Sequence, residues 1–187
     1  IINGSEKTVL AQERAKENNI TCYNVKKNNN KWSWLAELKS VPDFKCISPK
    51  QINIMISTKN NGYGHSIFIQ IPRIKQPIPI FIVFRALGVI SDQEICEYIL
   101  LDLKDEYSQK MLFGLKASVI DAVDYPNQET ALNYIVNNAM YTPINMSPEK
   151  GLEKKKEFTV NVLKNDLFPH CKNETQKIYF LGSVSYT

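Results

Sequence analysis

The chain has 187 residues, 43% hydrophobic and 22% charged, with a formal net charge of +4. A chain of this size fits one domain and can bury roughly 70% of its unfolded surface, so a true core is feasible, and its composition is ordinary for a globular protein. The mild positive charge permits contact with nucleic acid without demanding it, and falls short of what a stand-alone DNA binder concentrates.

The first residues place an apolar pair and the turn dipeptide Asn3-Gly4 ahead of a second apolar run at Val9 and Leu10. This is a hairpin-like start with a strand on only one side. At the other end, an apolar segment begins at Ile178 and stops at Thr187. The chain is therefore expected to be a piece of a longer polypeptide. Residues 16–31 are polar and close on a Lys-Asn run, which reads as a solvated loop or hairpin tip. Residues 32–38 alternate in part and read as a strand, and Pro42 and Pro49 bracket a loop. Residues 52–58 alternate cleanly with Ile52, Ile54 and Ile56 on one side, and residues 66–71 do the same with Ile67, Ile69 and Ile71. Residues 59–64 between them are rich in Asn and Gly, which tolerate positive φ, so a hairpin with a long, flexible tip is expected. Pro72, Pro77 and Pro79 force an extended path. Residues 80–84 are too apolar to be half-solvated and should pass, buried, into a short helix ending at Gly88.

From Ser91 the apolar period changes to 3.6. Ser91 and Glu94 have the spacing of a capping box, with Ile95, Ile99 and Leu103 on one face behind it. A second helix fits residues 109–121. A third runs from 127 or 128 to about 138 and buries Ala131, Leu132, Ile135 and Val136. A fourth starts at Ser147-Pro148-Glu149, where proline suits the first turn, presents Phe158, Val162 and Leu163 to the core, and stops at Pro169. A fifth starts near Glu174 and is truncated. Strands and a β-hairpin followed by a cluster of about five helices predict an α+β fold.

Residues able to carry chemistry are sparse. Neither G-x-x-x-x-G-K-[ST] nor G-x-G-x-x-G occurs, and Gly62-Tyr63-Gly64 reads as the hairpin tip, with His65 solvated beside it. The cysteines Cys22, Cys46, Cys96 and Cys171 form no C-x-x-C pair, so no metal site is expected. His170-Cys171 prompts the thought of a thiol nucleophile. Chain neighbours seldom face each other and no third group is placed to orient the histidine, so no catalytic residue is expected. Asp102, Asp105 and Glu106 lack the D-x-D spacing that holds magnesium and read as a charged loop, while residues 153–157 read as a solvated helix face. Arg85 is a lone cation inside an apolar run and should form a structural ion pair or snorkel. Lys7 and Arg14 flank an apolar strand, either as plain surface charge or as phosphate contacts. No apolar run of about 18 residues is present, so no membrane-spanning helix is expected.

Three ordered blocks carry a family resemblance: IINGSEKTVLAQER (residues 1–14), QPIPIFIVFRALG (76–88), and ETAL (129–132) followed by FPH (168–170). They resemble the lobe region (domain 2) of the second-largest subunit of multisubunit DNA-directed RNA polymerases, of the eukaryotic RNA polymerase II-like or large-DNA-virus type. Residues 16–50 and 140–160 carry little of that pattern. The resemblance implies that residues 1–20 connect from the protrusion and that residues 21–187 form the lobe. It implies a non-catalytic wall of the DNA cleft, with nucleotidyl transfer performed by the whole complex and this fragment alone inactive. Lys7 and Arg14 would lie near the template and the RNA–DNA hybrid, in weak, non-specific contact. Other implied partners are the largest subunit, the remaining polymerase subunits and a TFIIF-like factor docking on the lobe. No cofactor is implied in this fragment, since the polymerase's magnesium is held mainly by the largest subunit. The resemblance further implies the nucleus for a cellular protein, and a cytoplasmic replication site or virion for a viral one. Two other readings compete: a stand-alone protein-interaction or adaptor module, and an independent hydrolase using Cys171 or His170.

Overall fold

A strand that alternates apolar and polar residues can bury only one face, so its partners must supply the rest of a sheet. The computed structural model, which describes residues 2–25, 31–43 and 46–186, shows that sheet. Five antiparallel strands stand side by side in chain order: β1 (Ile20–Asn24), β2 (Trp32–Ser40), β3 (Lys50–Asn60), β4 (His65–Gln70) and β5 (Ile78–Pro79). The register sets Ala36 opposite Ile54 and Ile54 opposite Ile69, and these residues join Leu38, Ile52 and Ile67 in the core. On the other face Leu35 lies opposite Met55 and Met55 opposite Phe68, with the rings of Trp32 and Phe68 at 5.4 Å.

Two features of the strand half differ from the sequence expectation. β1 falls within the stretch read as a loop or tip. It is an edge strand with four of its five residues exposed, so it needs no apolar alternation and leaves no such signal. Residues 26–30, the Lys-Asn run of that stretch, lie outside the described residues. The tip between β3 and β4 is also shorter and better held than expected. The pairing reaches Asn60 and His65, leaving four residues. Asn60 Oδ1 accepts from the N–H groups of Gly62 (2.7 Å) and Gly64 (3.0 Å). Asn61 Nδ2 donates to Ala117 O (3.1 Å) and Asp121 Oδ1 (2.8 Å), tying the tip to a distant helix.

At the start of the chain, Ile2 and Ser5 exchange backbone hydrogen bonds of 2.9 and 3.1 Å around Asn3 and Gly4, both at positive φ. This is the turn the dipeptide predicts. Residues 6–16 then run without helix or strand, and Val9 and Leu10 are 95% and 87% exposed.

Six helices follow β5: α1 (Ile80–Ala86), α2 (Asp92–Leu100), α3 (Glu106–Ile120), α4 (Gln128–Asn138), α5 (Pro148–Asn165) and α6 (Glu174–Tyr186). All seven residues of α1 are buried, and the helix closes where Gly88, at φ 101°, turns left-handed. The N–H groups of Gly88 and Val89 return to Arg85 O and Phe84 O, each at 3.0 Å, which is the paired-bond ending that favours glycine. Ser91 occupies the N-cap of α2 with extended backbone, but its hydroxyl makes no capping bond, so the capping box read from Ser91 and Glu94 is not formed. α2 ends at Leu100, leaving Leu103 in the following turn rather than on the helix face. α3 begins three residues before the expected start because Asp105 caps it, accepting from Tyr107 N (3.1 Å) and Ser108 N (3.3 Å). α4 opens with Thr130 Oγ1 accepting from Asn127 N–H, α5 carries Pro148 in its first turn, and Asn173 Oδ1 caps α6 through Gln176 N.

The helices cover the inner face of the sheet. α3 packs on β4, α1 on α4, α4 on α5 and α2 on α6, and one continuous core joins them to the strands.

Candidate nucleic-acid interface

Lys7 and Arg14 both stand on the exposed stretch before β1. Arg14 pairs with Glu17, and an exposed pair three residues apart contributes little to stability. Both residues are exposed.

Arg85 is 4% exposed. Its guanidinium donates to the carbonyls of Ala122 and Tyr125 in the turn after α3, and pairs with Asp92 in the first turn of α2. The cation therefore braces the main chain of that turn and joins α1, the turn and α2. Its Nε is buried with no hydrogen-bond partner among the described residues.

His170 and Cys171 are arranged differently from the sequence expectation. The neighbours do face each other, with His170 Nε2 3.6 Å from Cys171 Sγ. A third group does orient the ring: His170 Nδ1 lies 2.6 Å from the buried Ser40 Oγ, and Phe180 packs edge-on at 4.5 Å. Ser40 is 130 residues away in the chain, so no local pattern reports it. The electrostatics oppose nucleophilic use. Burial lowers the His170 pKa, Asp43 partly opposing and Lys177 assisting. Burial also raises the Cys171 thiol, with Lys177 partly opposing. A neutral imidazole beside a neutral thiol is the reverse of an activated pair.

That burial has a pH consequence. An unfolded histidine titrates near 6.5, and folded His170 titrates lower. The unfolded chain thus binds more protons between the two values, so stability held by neutral His170 is complete above pH 6.5 and declines as pH falls towards the folded pKa. In urea unfolding from pH 6.5 downwards, the parent chain should lose stability more steeply than His170→Gln. Parallel losses in the two proteins would refute this.

Two of the three acidic residues serve the backbone, and the third forms a surface ion pair. Asp102 accepts from Lys104 N (2.8 Å), Asp105 caps α3, and Glu106 pairs with Lys110. Among the described residues no three His, Cys, Asp or Glu side chains gather as a metal site would require. Within residues 153–157, Glu157 pairs with Lys154 on the outside of α5.

A cluster that sequence spacing does not reveal lies where the β4–β5 connection meets the ends of α4 and α5. Asp166, just past α5, is buried and forms ion pairs with Arg73 and with Lys50, the latter at 3.4 Å. At the end of α4 beside them Lys155 Nζ donates to Asn137 O (3.3 Å), and the main-chain N–H of exposed Lys75 donates to Asn138 O (2.8 Å). Arg73 and Asp166 are 93 residues apart, so only the folded chain brings them together.

Comparison with known proteins identifies the family. The family model described as RNA polymerase Rpb2, domain 2, matches residues 5–185. The chain belongs to the Rpb2 domain 2 family. It is 34% identical over 188 residues to DNA-directed RNA polymerase II subunit RPB2 of Schizosaccharomyces pombe, covering 97% of this chain and 15% of that protein. It is 30% identical to DNA-directed RNA polymerase subunit Rpo2N of Methanococcus vannielii, over 95% of this chain and 32% of the relative. It is 26% identical to DNA-directed RNA polymerase subunit 2 of Acanthamoeba polyphaga mimivirus, over 100% of this chain and 16% of the relative. The chain thus spans about 15% of the length of the RNA polymerase II subunits it matches. For an Rpb2 domain 2, both the sheet-and-helix body and most of the segment carrying Lys7 and Arg14 fall inside the family match.

Proposed function

We propose that this chain is the non-catalytic lobe of the second-largest subunit of a DNA-directed RNA polymerase, walling the cleft through which nucleic acid passes. The family match over residues 5–185 carries the reading. On this reading residues 1–20 join the lobe to the protrusion and place Lys7 and Arg14 near the template and hybrid, while residues 21–187 form the lobe. Its partners are the largest subunit, the remaining polymerase subunits and a TFIIF-like factor docking on the outer surface. Nucleotidyl transfer belongs to the whole complex, and the magnesium it uses is held mainly by the largest subunit. The site of action is the nucleus for a cellular source, or a cytoplasmic replication site or virion for a viral one.

The physical properties support a guiding role. A wall for moving nucleic acid needs a rigid scaffold and modest positive charge, because counterion release attracts the backbone while strong binding would oppose translocation. One continuous core and a net charge of +4 meet both needs. An antibody to this chain should precipitate, from source cells, a polypeptide far larger than 21.5 kDa together with template-dependent RNA synthesis. A polypeptide near 21.5 kDa without synthesis would instead establish a stand-alone adaptor.

A further inference from the structure

We propose that Lys50, Arg73, Lys75 and Lys155 form a preorganised surface that contacts the phosphate backbone of duplex DNA. The proposal rests on the nucleic-acid reading above and moves the principal contact away from Lys7 and Arg14. Asp166 organises the surface from behind. Its side chain is 4% exposed while that of Arg73 is 49% exposed, so the carboxylate sits inside and the guanidinium faces out. Lys50 reaches the same carboxylate at 3.4 Å. Arg73 is further fixed by the Phe158 ring, 5.3 Å from its guanidinium carbon, and by a backbone φ of 64°. A long side chain held in the left-handed region marks a position that the surrounding fold over-determines.

The charge balance favours an anion. Lys50 and Arg73 share one carboxylate, which leaves one positive charge there, and Lys155 at the end of α4 and exposed Lys75, two residues after Arg73, add two more. Lys75 and Lys155 have no carboxylate partner among the described residues. Arg73 O accepts from Met140 N (2.9 Å), which fixes the β4–β5 connection against the chain leaving α4 and keeps the cations in one neighbourhood. The ligand class follows from the donors present. An arginine fork pairs with two phosphate oxygens, and lysines add point charges. The depression beside Arg73, about 390 Å³, is bordered by Pro49, Lys50, Gln51, Gln70 and Met140 and has no aromatic wall on which a base could stack. Such a surface reads the backbone and leaves sequence unread.

The test is fluorescence anisotropy of a labelled mixed-sequence duplex with the 187-residue chain across a sodium chloride series. Lys75→Gln combined with Lys155→Gln removes two cations outside any ion pair among the described residues, and a thermal melt matching the parent checks that the fold is kept. The slope of log affinity against log salt should become shallower by about 1.8, since each phosphate contact contributes about 0.9. An unchanged slope overturns the surface. A shallower slope only in Lys7→Gln combined with Arg14→Gln places the contact on the connecting segment, overturning this surface but keeping the nucleic-acid reading. No salt-dependent binding by the parent chain overturns both. Displacement of the duplex by poly-glutamate at equal charge concentration, as effective as by unlabelled DNA, overturns the phosphate assignment in favour of an acidic protein partner.

Discussion

Gly182→Ala should destabilise the chain by about 3 kcal/mol or more, against the sign that helix propensity predicts. Alanine within a helix is normally better than glycine by about 1 kcal/mol. Gly182, inside α6, lies against the backbone of α2, and a Cβ built there falls 2.1 Å from Tyr98 O and 2.7 Å from Tyr98 C. No rotamer relieves that overlap, because the obstacle is main chain. The helices must separate, and separation also opens the edge-on packing of Tyr98 and Tyr179, now 5.1 Å apart. Overpacking of a core typically costs about 1–3 kcal/mol, and a backbone clash belongs at or above the upper end. Gly114→Ala supplies the contrast. It is also helical, with nothing within 4 Å of the added carbon, and should stabilise by up to about 1 kcal/mol. Urea unfolding of the two variants reads both signs. If Gly182→Ala costs under about 1 kcal/mol, α2 and α6 slide apart freely and the close crossing is not what holds them.

The elements readable from the chain are those with a strong internal period. β3 and β4 alternate, and α2 and α4 repeat at helical spacing, because each buries one face against the core. β1 was illegible for the complementary reason: an edge strand exposed on both faces leaves no apolar alternation. Local motifs carried less than their spacing implied. Ser91 and Glu94 fit a capping box that does not form, while Asp105, read as a charged loop residue, is the working cap of α3. Lys7 and Arg14, which the sequence offers as plain surface charge or as phosphate contacts, stand exposed before β1. The cationic cluster and the Ser40–His170 contact were out of reach, since each joins residues over 90 positions apart through packing that exists only after folding. Arg85 lies between these cases. A cation inside IFIVFRA requires a partner on physical grounds, but Ala122 and Tyr125 offer main-chain carbonyls, which any residue type could supply.

That difference sets the outcome of replacing Arg85. Arg85→Met should cost about 3 kcal/mol, because it keeps the aliphatic volume and removes every donor from the turn between α3 and α4. The carbonyl of Tyr125 then loses its partner inside the fold, at about 1–3 kcal/mol for a group left unsatisfied, while that of Ala122 keeps only the Tyr125 N–H at 3.0 Å. Asp92 is 44% exposed at its side chain and can turn to water, so its loss of a partner adds less. Arg85→Lys should fall between Arg85→Met and the parent. One ammonium can serve a carbonyl or Asp92, but lacks the planar fork that reaches all three acceptors. Asp92→Asn should be the mildest of the three. The order Met, then Lys, then Asp92→Asn follows from Arg85 acting as a cap on main-chain carbonyls. Denaturant midpoints for the three variants decide the matter. If Asp92→Asn matches Arg85→Met, the ion pair is the dominant contribution, and Arg85 acts chiefly as a charge rather than as a hydrogen-bonding brace that holds α1, α2 and the α3–α4 turn in register.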